Sequence, residues 1–174
     1  MVPRRRNKIA GQFAARTIEM LRSPAYRALS LSGHRILARL EIELAQHGGR
    51  DNGKLPVTYA NFGDYGIDHH SIAPAIREVV ALGFVKITQV GRAGNAEFRT
   101  PSKYQLTYTY TTNSLPPTHD WKRITSLLEA QNVAKTARKE RSENKRRGGK
   151  APSSTGKPPI EKSRSPVGET PTTG

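Results

Sequence analysis

The stretch Asp68-His-His-Ser-Ile-Ala-Pro-Ala-Ile-Arg-Glu-Val-Val-Ala-Leu-Gly83-Phe-Val-Lys-Ile-Thr88 decides the fold, because it joins an amphipathic helix directly to a strand. Four apolar residues recur at i, i+4, i+7 and i+8, which is the spacing of one buried helix face: Ile72, Ile76, Val79 and Val80. Gly83 is expected to end the helix, and Phe84 to Thr88 then has the composition of a strand. The pattern predicts a short helix that packs on a core and leads at once into a β-hairpin.

The start of this helix allows two interpretations. Asp68 is a natural N-cap, but a start there puts Pro74 well inside the helix, where it removes a hydrogen bond. If Ser71 is the N-cap, Pro74 falls in the first turn and costs little. We favour the Asp68 start with a distorted first turn. In either case the outward positions are His70, Ala73, Pro74, Arg77 and Ala81, with His69 at the leading end.

The preceding segment predicts three more helices and a short strand. Ser23-Pro24 is a helix start, and Ser32 is expected to cap a longer helix that ends at Gly48-Gly49. The core face of that helix is predicted to hold Ile36, Leu37, Leu40, Leu44 and Ala45. Leu55-Pro-Val reads as an edge strand, since proline lacks a donor, and Thr58 then caps a brief helix that reaches about Tyr65.

The hairpin is predicted from alternation after the Gly83 turn. Val85 and Ile87 alternate on the first strand, and the second strand alternates Tyr104, Leu106, Tyr108 and Tyr110. Tyr104, Leu106 and Tyr108 are expected to serve sheet packing, and a base-stacking platform is the alternative. The joining loop, residues 91–101, is rich in turn formers and would be the wing. From Leu115 the chain is predicted to leave the domain, and Asp120 is expected to cap a helix for which Trp121 is the anchor.

Charge lies mainly at the two ends of the chain. Of the net +15, residues 1–35 carry +7 and residues 121–174 carry +8, while residues 36–120 hold eight acidic and eight basic residues. Basic arms beside a neutral body favour a polyanionic partner, because neutralising phosphates releases counterions. Basic tails that only keep the protein soluble are the alternative.

Composition excludes several classes of protein. The 174 residues include no cysteine, which excludes disulfides and cysteine zinc sites. No apolar run approaches the ~20 residues of a membrane-spanning helix, and no secretory signal is apparent, so a cytoplasmic location is expected. No phosphate-cradling loop, acidic magnesium cluster or catalytic constellation is visible, so we expect neither an enzyme nor a cofactor, metal or small-molecule substrate.

These features predict an α+β fold, a winged helix-turn-helix with a three-helix core, a C-terminal β-hairpin wing and additional helices at both ends. We expect a basic N-terminal arm with a short helix over 1–22 and a winged-helix domain over 23–112. A linker and a basic C-terminal helix should occupy 113–147. Residues 148–174 are rich in Pro, Ser, Thr, Gly and Lys and are expected to be a disordered tail.

Four segments carry a resemblance to a family. They are Leu31-Ser-Leu-Ser-Gly-His-Arg-Ile-Leu, Arg50-Asp-Asn-Gly-Lys-Leu-Pro-Val-Thr-Tyr, residues 65–85 and Tyr104-Gln-Leu-Thr-Tyr. Over about residues 29–110 the chain resembles winged-helix DNA-binding proteins of bacterial mobile elements, which include plasmid and phage replication initiators and transcriptional regulators. The resemblance is specific for the fold and less so for the biological role. It implies a nucleoid-associated protein that binds double-stranded DNA.

The resemblance also implies the residues that would touch DNA. In such proteins the helix after the Gly-Ile turn enters the major groove and the wing lies along a neighbouring backbone or minor groove. The expected base-reading residues are therefore His69, His70, Ala73 and Arg77, and the expected wing contacts are Arg92, Asn95, Arg99 and Lys103. The basic arms would add salt-sensitive affinity through Arg4, Arg5, Arg6, Lys8, Arg138, Lys139, Arg141, Lys145, Arg146 and Arg147.

The sequence supports two functional hypotheses. The first is a DNA-binding replication accessory, initiator or transcriptional regulator. The second is a winged-helix module that binds a protein partner or a second copy of itself, with basic tails that associate loosely with nucleic acid. The balanced charge of residues 36–120 is the one feature that favours the second hypothesis.

Overall fold

The part of the chain that the structure describes is an α+β fold with six α-helices and one three-stranded antiparallel sheet. The computed structural model describes residues 11–14, 16–92 and 100–147, and over 141–147 it describes the backbone alone. The helices are α1 (Ile18–Arg22), α2 (Pro24–Arg27), α3 (Leu31–Gln46), α4 (Tyr59–Asp64), α5 (His69–Ala81) and α6 (Leu127–Arg147). The strands are β1 (Leu55–Val57), β2 (Val85–Gln89) and β3 (Ser102–Leu106), and a 3₁₀ helix spans Asp120–Arg123.

Side-chain caps fix the starts of the helices. Ser23 accepts a hydrogen bond from the amide of Tyr26 at the start of α2, and Thr58 forms a capping box with Asn61 at the start of α4. Both caps confirm the prediction. The predicted cap at Ser32 is wrong, because Ser30 accepts from the amide of Gly33 and α3 begins at Leu31.

Helix α5 begins as the favoured interpretation predicts. The carboxylate of Asp68 accepts from the amide of His70, and Pro74 lies inside the helix. The predicted stripe faces the core: Ile72, Ile76 and Val79 are buried and Val80 packs partly buried against the same cluster. From α3 the cluster receives Ile36, Leu37, Leu40 and Leu44, as the sequence pattern predicts.

The sheet has the strand order β1-β3-β2, so β3 lies in the middle. Tyr104 and Leu106 are buried, which confirms their role in packing. The predicted continuation of β3 to Tyr108 and Tyr110 is wrong, because the side-chain amide of Asn52 replaces a strand partner at Leu106. Its Oδ1 accepts from the Leu106 amide at 2.7 Å, and its Nδ2 donates to the Leu106 carbonyl at 2.8 Å. The chain turns directly after this pair.

Hydrogen bonds to the Glu41 carboxylate connect the N-terminal segment to α3. Arg16 Nε donates to a carboxylate oxygen of Glu41 at 2.8 Å, and the Tyr108 hydroxyl donates to the same carboxylate at 2.7 Å. Burial, and then the negative charge of Glu41, raise the pKa of Tyr108 well above its usual value. Tyr108 therefore stays a hydrogen-bond donor at any physiological pH.

The C-terminal segment returns to the helical core. Trp121 is 3 % exposed and its ring stacks on Phe84 with centroids 6.4 Å apart, which agrees with its predicted role as an anchor. The predicted helix cap at Asp120 is wrong, since this residue opens the 3₁₀ helix and α6 begins only at Leu127. Ala130 and Ala134 of α6 are fully buried members of the cluster that also contains α3 and α5.

The resulting layout of the described residues, six helices and a small antiparallel sheet with a β2–β3 hairpin, is compatible with a winged-helix-like arrangement. Among the residues described, no helix combines the length and the apolar composition needed to cross a membrane.

Candidate nucleic-acid interface

An exposed cluster of aromatic and imidazole rings lies where α4 and α5 begin. The rings of Tyr59 and His69 have centroids 6.2 Å apart, and those of His69 and His70 are 5.9 Å apart. Tyr59 is 40 % exposed, and Tyr65 in the turn between the two helices is 38 % exposed. Each of these rings has an apolar face and a polar edge, a combination suited to base edges, sugars and phosphates.

The start of α5 lies near the end of the sheet at which β3 begins. Val57 pairs with Ser102, the first residue of β3, and α4 begins two residues after Val57. Because Tyr59 contacts His69, the N-terminal end of α5 lies near the base of the β2–β3 hairpin. The imidazoles and the described base of the hairpin therefore lie near one another.

Arg35 adds a cation beside the α4–α5 turn. Its guanidinium donates to the carbonyl of Gly66 at 2.5 Å, and its side chain is exposed. Asp64 and Asp68 are exposed in the same region, and Asp68 is engaged in capping α5. The sequence reasoning did not single out Arg35, because a position on α3 gives no indication that a turn 31 residues later lies beside it.

Arg77 occupies a different environment from the one predicted for a base-reading residue. Its Nε donates to the carbonyl of Ala137 at 2.8 Å, and its Nη2 donates to the carbonyl of Arg138 at 2.9 Å. Both acceptors belong to α6, which packs across this part of α5. The guanidinium therefore forms hydrogen bonds inside the protein, although helical periodicity correctly places Arg77 on the side of α5 that faces away from the α3–α5 core.

In a second hydrogen bond between the same helices, the donor lies on α6 and the acceptor lies on α5. Arg138 of α6 donates to the carboxylate of Glu78 on α5 at 2.6 Å, and the Glu78 side chain is completely buried. The amide of Ser30 donates to the same carboxylate oxygen at 2.8 Å. Each helix thus donates an arginine hydrogen bond to the other, Arg77 from α5 and Arg138 from α6. The Glu78 carboxylate also accepts from Ser30, the N-cap of α3.

The remaining predicted α5 residues divide by exposure. His69 and His70 are exposed and Ala73 is half-buried, whereas Arg77 is half-buried beneath α6. The predicted outward positions that are exposed are therefore His69 and His70 in the first turn of α5 and Ala81 at its last residue.

The predicted wing residues are described in part. Arg92 is exposed at the base of the loop, where its amide donates to the Thr100 carbonyl at 3.1 Å. Lys103 is half-buried on β3, opposite Pro56. Asn95 and Arg99 lie outside the described residues, as do Arg4, Arg5, Arg6, Lys8 and the predicted tail over 148–174, and so do the side chains of Arg141, Lys145, Arg146 and Arg147.

Two exposed tyrosines, one at each end of α4, are not among the residues predicted from the sequence. Tyr59 directly follows the Thr58 cap, and Tyr65 directly follows α4. A large ring at the first position of a capped helix, where little of the helix can cover it, was the available signal for Tyr59.

Within the described residues, no group of three or more His, Cys, Asp or Glu side chains could hold a metal ion. Comparison of the chain with protein-family models, with curated proteins and with solved structures found no match.

Proposed function

We propose that the protein binds double-stranded DNA through a winged helix-turn-helix, as a replication accessory, an initiator or a transcriptional regulator. The observation that carries the proposal is the exposed first turn of α5, at His69 and His70, near the base of the β2–β3 hairpin. His69 and His70 would meet base edges in the major groove, and Arg92 and Lys103 would meet the neighbouring backbone.

The contact of α6 with α5 limits how DNA can be approached. A major groove is about 12 Å wide, and packed helices have axes about 8–10 Å apart, so α5 and α6 cannot both enter one groove. DNA would therefore meet the N-terminal end of α5 rather than its full length. Helix-turn-helix proteins commonly read bases with the N-terminal residues of the recognition helix, which suits this geometry.

This geometry changes the role proposed for Arg77. Because its guanidinium is held by two carbonyls of α6, we assign Arg77 to the positioning of α6 and not to base reading. The sequence-based role as a guanine-reading arginine required a free guanidinium at this position.

The test measures the binding of the full chain to random duplex and to duplexes selected from genomic fragments. His69→Ala/His70→Ala should weaken binding to selected duplex at least several-fold and change binding to random duplex less, since base contacts carry the sequence preference. Arg77→Lys is the matched comparison on the same helix, because it keeps the charge and loses the two-carbonyl geometry. It should leave the sequence preference unchanged.

The proposal would be overturned if the full chain showed no measurable binding to duplex at low salt. A loss of sequence preference in Arg77→Lys, without a loss in the histidine variant, would return base reading to Arg77.

A protein-binding module is the second candidate function. It is favoured by the cover that α6 forms over the C-terminal half of α5 and by the zero net charge of residues 36–120. In this case the exposed rings of Tyr59 and Tyr65 would anchor a protein partner or a second copy of the chain. Alanine substitution of both tyrosines would then abolish partner capture and leave the binding of duplex unchanged.

A further inference from the structure

Strand β2 forms one edge of the sheet, and among the described strands it pairs only with β3. The strand order β1-β3-β2 makes β1 the other edge, but β1 is only 3 residues long and contains Pro56. An edge strand presents unpaired backbone donors and acceptors to any further strand, and short length or a proline reduces this capacity. A further strand can therefore pair more readily with β2 than with β1.

The backbone groups of Ile87 point to the free edge of β2. The amide of Thr107 donates to the carbonyl of Phe84 at 3.0 Å, which sets the alternation of the antiparallel ladder between β2 and β3. Lys86 then directs its amide and carbonyl toward β3, and Ile87 directs its own away from β3. The register slips only after Ile87, so this residue ends the regular part of the ladder.

An apolar groove runs beside the same edge, on the helix side of the sheet. Ile87 shares its face of β2 with buried Val85 and is itself 41 % exposed. It lines a groove of about 510 Å³ whose other walls are the C-terminal end of α5, at Val80 and Ala81, and α6, at Val133. A second cavity of about 310 Å³ also contacts Val80 and Ala81 and extends the groove toward the start of β2. An apolar side chain from a strand paired with β2 would enter this groove.

The two ends of the groove carry opposite charges. Arg123 of the 3₁₀ helix lines the end near Lys86, and its side chain is 74 % exposed. Lys86 and Arg123 share the single carboxylate of Asp120, at 2.9 Å and 3.2 Å, so this end has an excess of positive charge. At the other end, exposed Glu140 of α6 lines the cavity that contains Ile87. Such a groove is complementary to a copy of itself that runs in the opposite direction.

We propose that a second copy of the chain docks at this edge, with the two β2 strands antiparallel and a two-fold axis at Ile87. Each Ile87 exchanges both backbone hydrogen bonds with its counterpart, and the two side chains fill the grooves. Lys86 then lies opposite Thr88 of the other copy, whereas an axis at Lys86 would oppose two like charges.

The reversed direction of the second copy also pairs the charges. It brings Arg123 of each copy beside Glu140 of the other, so the same contact is made twice, as a two-fold interface requires. The proposal does not depend on the binding of DNA.

The first experiment measures the mass of the full chain by sedimentation velocity, from micromolar to near-millimolar protein and at moderate salt, which screens the repulsion between two basic chains. The unaltered chain should form a dimer as its concentration rises. Ile87→Arg places like charges on the axis and should raise the dimer dissociation constant at least about 100-fold. Leu128→Arg is the matched control, because Leu128 is 69 % exposed on α6 and lines neither cavity. It should change the constant by less than about threefold.

Charge exchange tests the antiparallel direction and does not require a change in the strand. Arg123→Glu and Glu140→Arg should each raise the dissociation constant about tenfold, because each opposes like charges across the contact. The double exchange should return the constant to within about threefold of that of the unaltered chain. A local effect of either substitution within one copy would not be restored by the other.

Cross-linking tests the position of the axis, since the chain contains no cysteine of its own. In Ile87→Cys the two altered residues would have Cα atoms about 5.5 Å apart, which lies within the range of a disulfide, so mild oxidation should give a covalent dimer. In Lys86→Cys the Cα atoms would be about 8 Å apart, beyond that range, and little covalent dimer should form.

A chain that stays monomeric at every concentration would overturn the proposal and leave the proposed function standing. Equal weakening by Ile87→Arg and Leu128→Arg, or equal cross-linking of the two cysteine variants, would place the contact elsewhere on the surface and overturn the proposal as well. A double exchange that dimerises no better than the single exchanges would overturn the antiparallel arrangement.

Discussion

Replacing Arg138 by alanine should release α6 from α5. The substitution removes the cation from a carboxylate that is completely buried, and leaves Glu78 with the donors of Ser30. Breaking a fully buried ion pair costs about 3–5 kcal/mol. Because the Arg138 side chain is 37 % exposed and Ser30 still donates, the loss of one charge-assisted hydrogen bond, about 2–3 kcal/mol, is the appropriate magnitude.

Thermal and chemical unfolding of the full chain measure this cost. A loss of about 2–3 kcal/mol corresponds to a fall in Tm of roughly 8–10 °C for a folded region of this size. Lys135→Ala is the control, since Lys135 is exposed on the same helix and its loss should cost within about 0.5 kcal/mol. Alanine is the best helix former, so neither variant weakens α6 itself.

A double-mutant cycle with Glu78→Gln identifies the partner. The coupling free energy between Arg138→Ala and Glu78→Gln should exceed about 1 kcal/mol, because the two groups share one contact. An Arg138→Ala variant as stable as Lys135→Ala, or a coupling near zero, would refute the reasoning that this pair holds α6 on α5.

Two other consequences of the structure can be measured. Gly83→Ala should lower the free energy of unfolding by at least about 3 kcal/mol, because Gly83 has a φ of +82° and an added Cβ would lie 2.7 Å from the backbone of Asp120 and Trp121. Gly48 has a φ of +63° but open space around it, so Gly48→Ala should lower the free energy of unfolding by only about 1 kcal/mol. If urea unfolding gave similar losses of unfolding free energy for both variants, this would argue against the close approach of Gly83 to Asp120 and Trp121. Burial, and then the positive charge of Arg16, lower the pKa of His34. Below a pH of about 6.5 His34 therefore takes up a proton more readily in the unfolded chain than in the folded chain, and the free energy of unfolding falls as the pH falls. His34→Gln should flatten the dependence of Tm on pH between about 7 and 5, and an unchanged dependence would assign it to other groups.

The sequence by itself determined those features whose causes are local. The N-caps at Ser23, Thr58 and Asp68 follow from a side-chain oxygen placed two or three residues before an unpaired amide. The buried stripe of α5 follows from the 3.6-residue period, which indicates the face that must leave water. Ser32 failed as a cap because Ser30 offers the same oxygen two residues earlier and is also held by Glu78.

Tertiary structure alone decided what covers the outward face of α5. Helical periodicity places Arg77 opposite the core, but its partners lie 60 and 61 residues away on α6. In the same way Glu78 reads in the sequence as a surface carboxylate and is completely buried, because Ser30 and Arg138 converge on it from two other segments. A periodic pattern records only how each residue is oriented about its own helix axis. Which second helix packs there, and which hydrogen bonds then compensate for lost water, depends on contacts between distant segments that form only when the chain is folded.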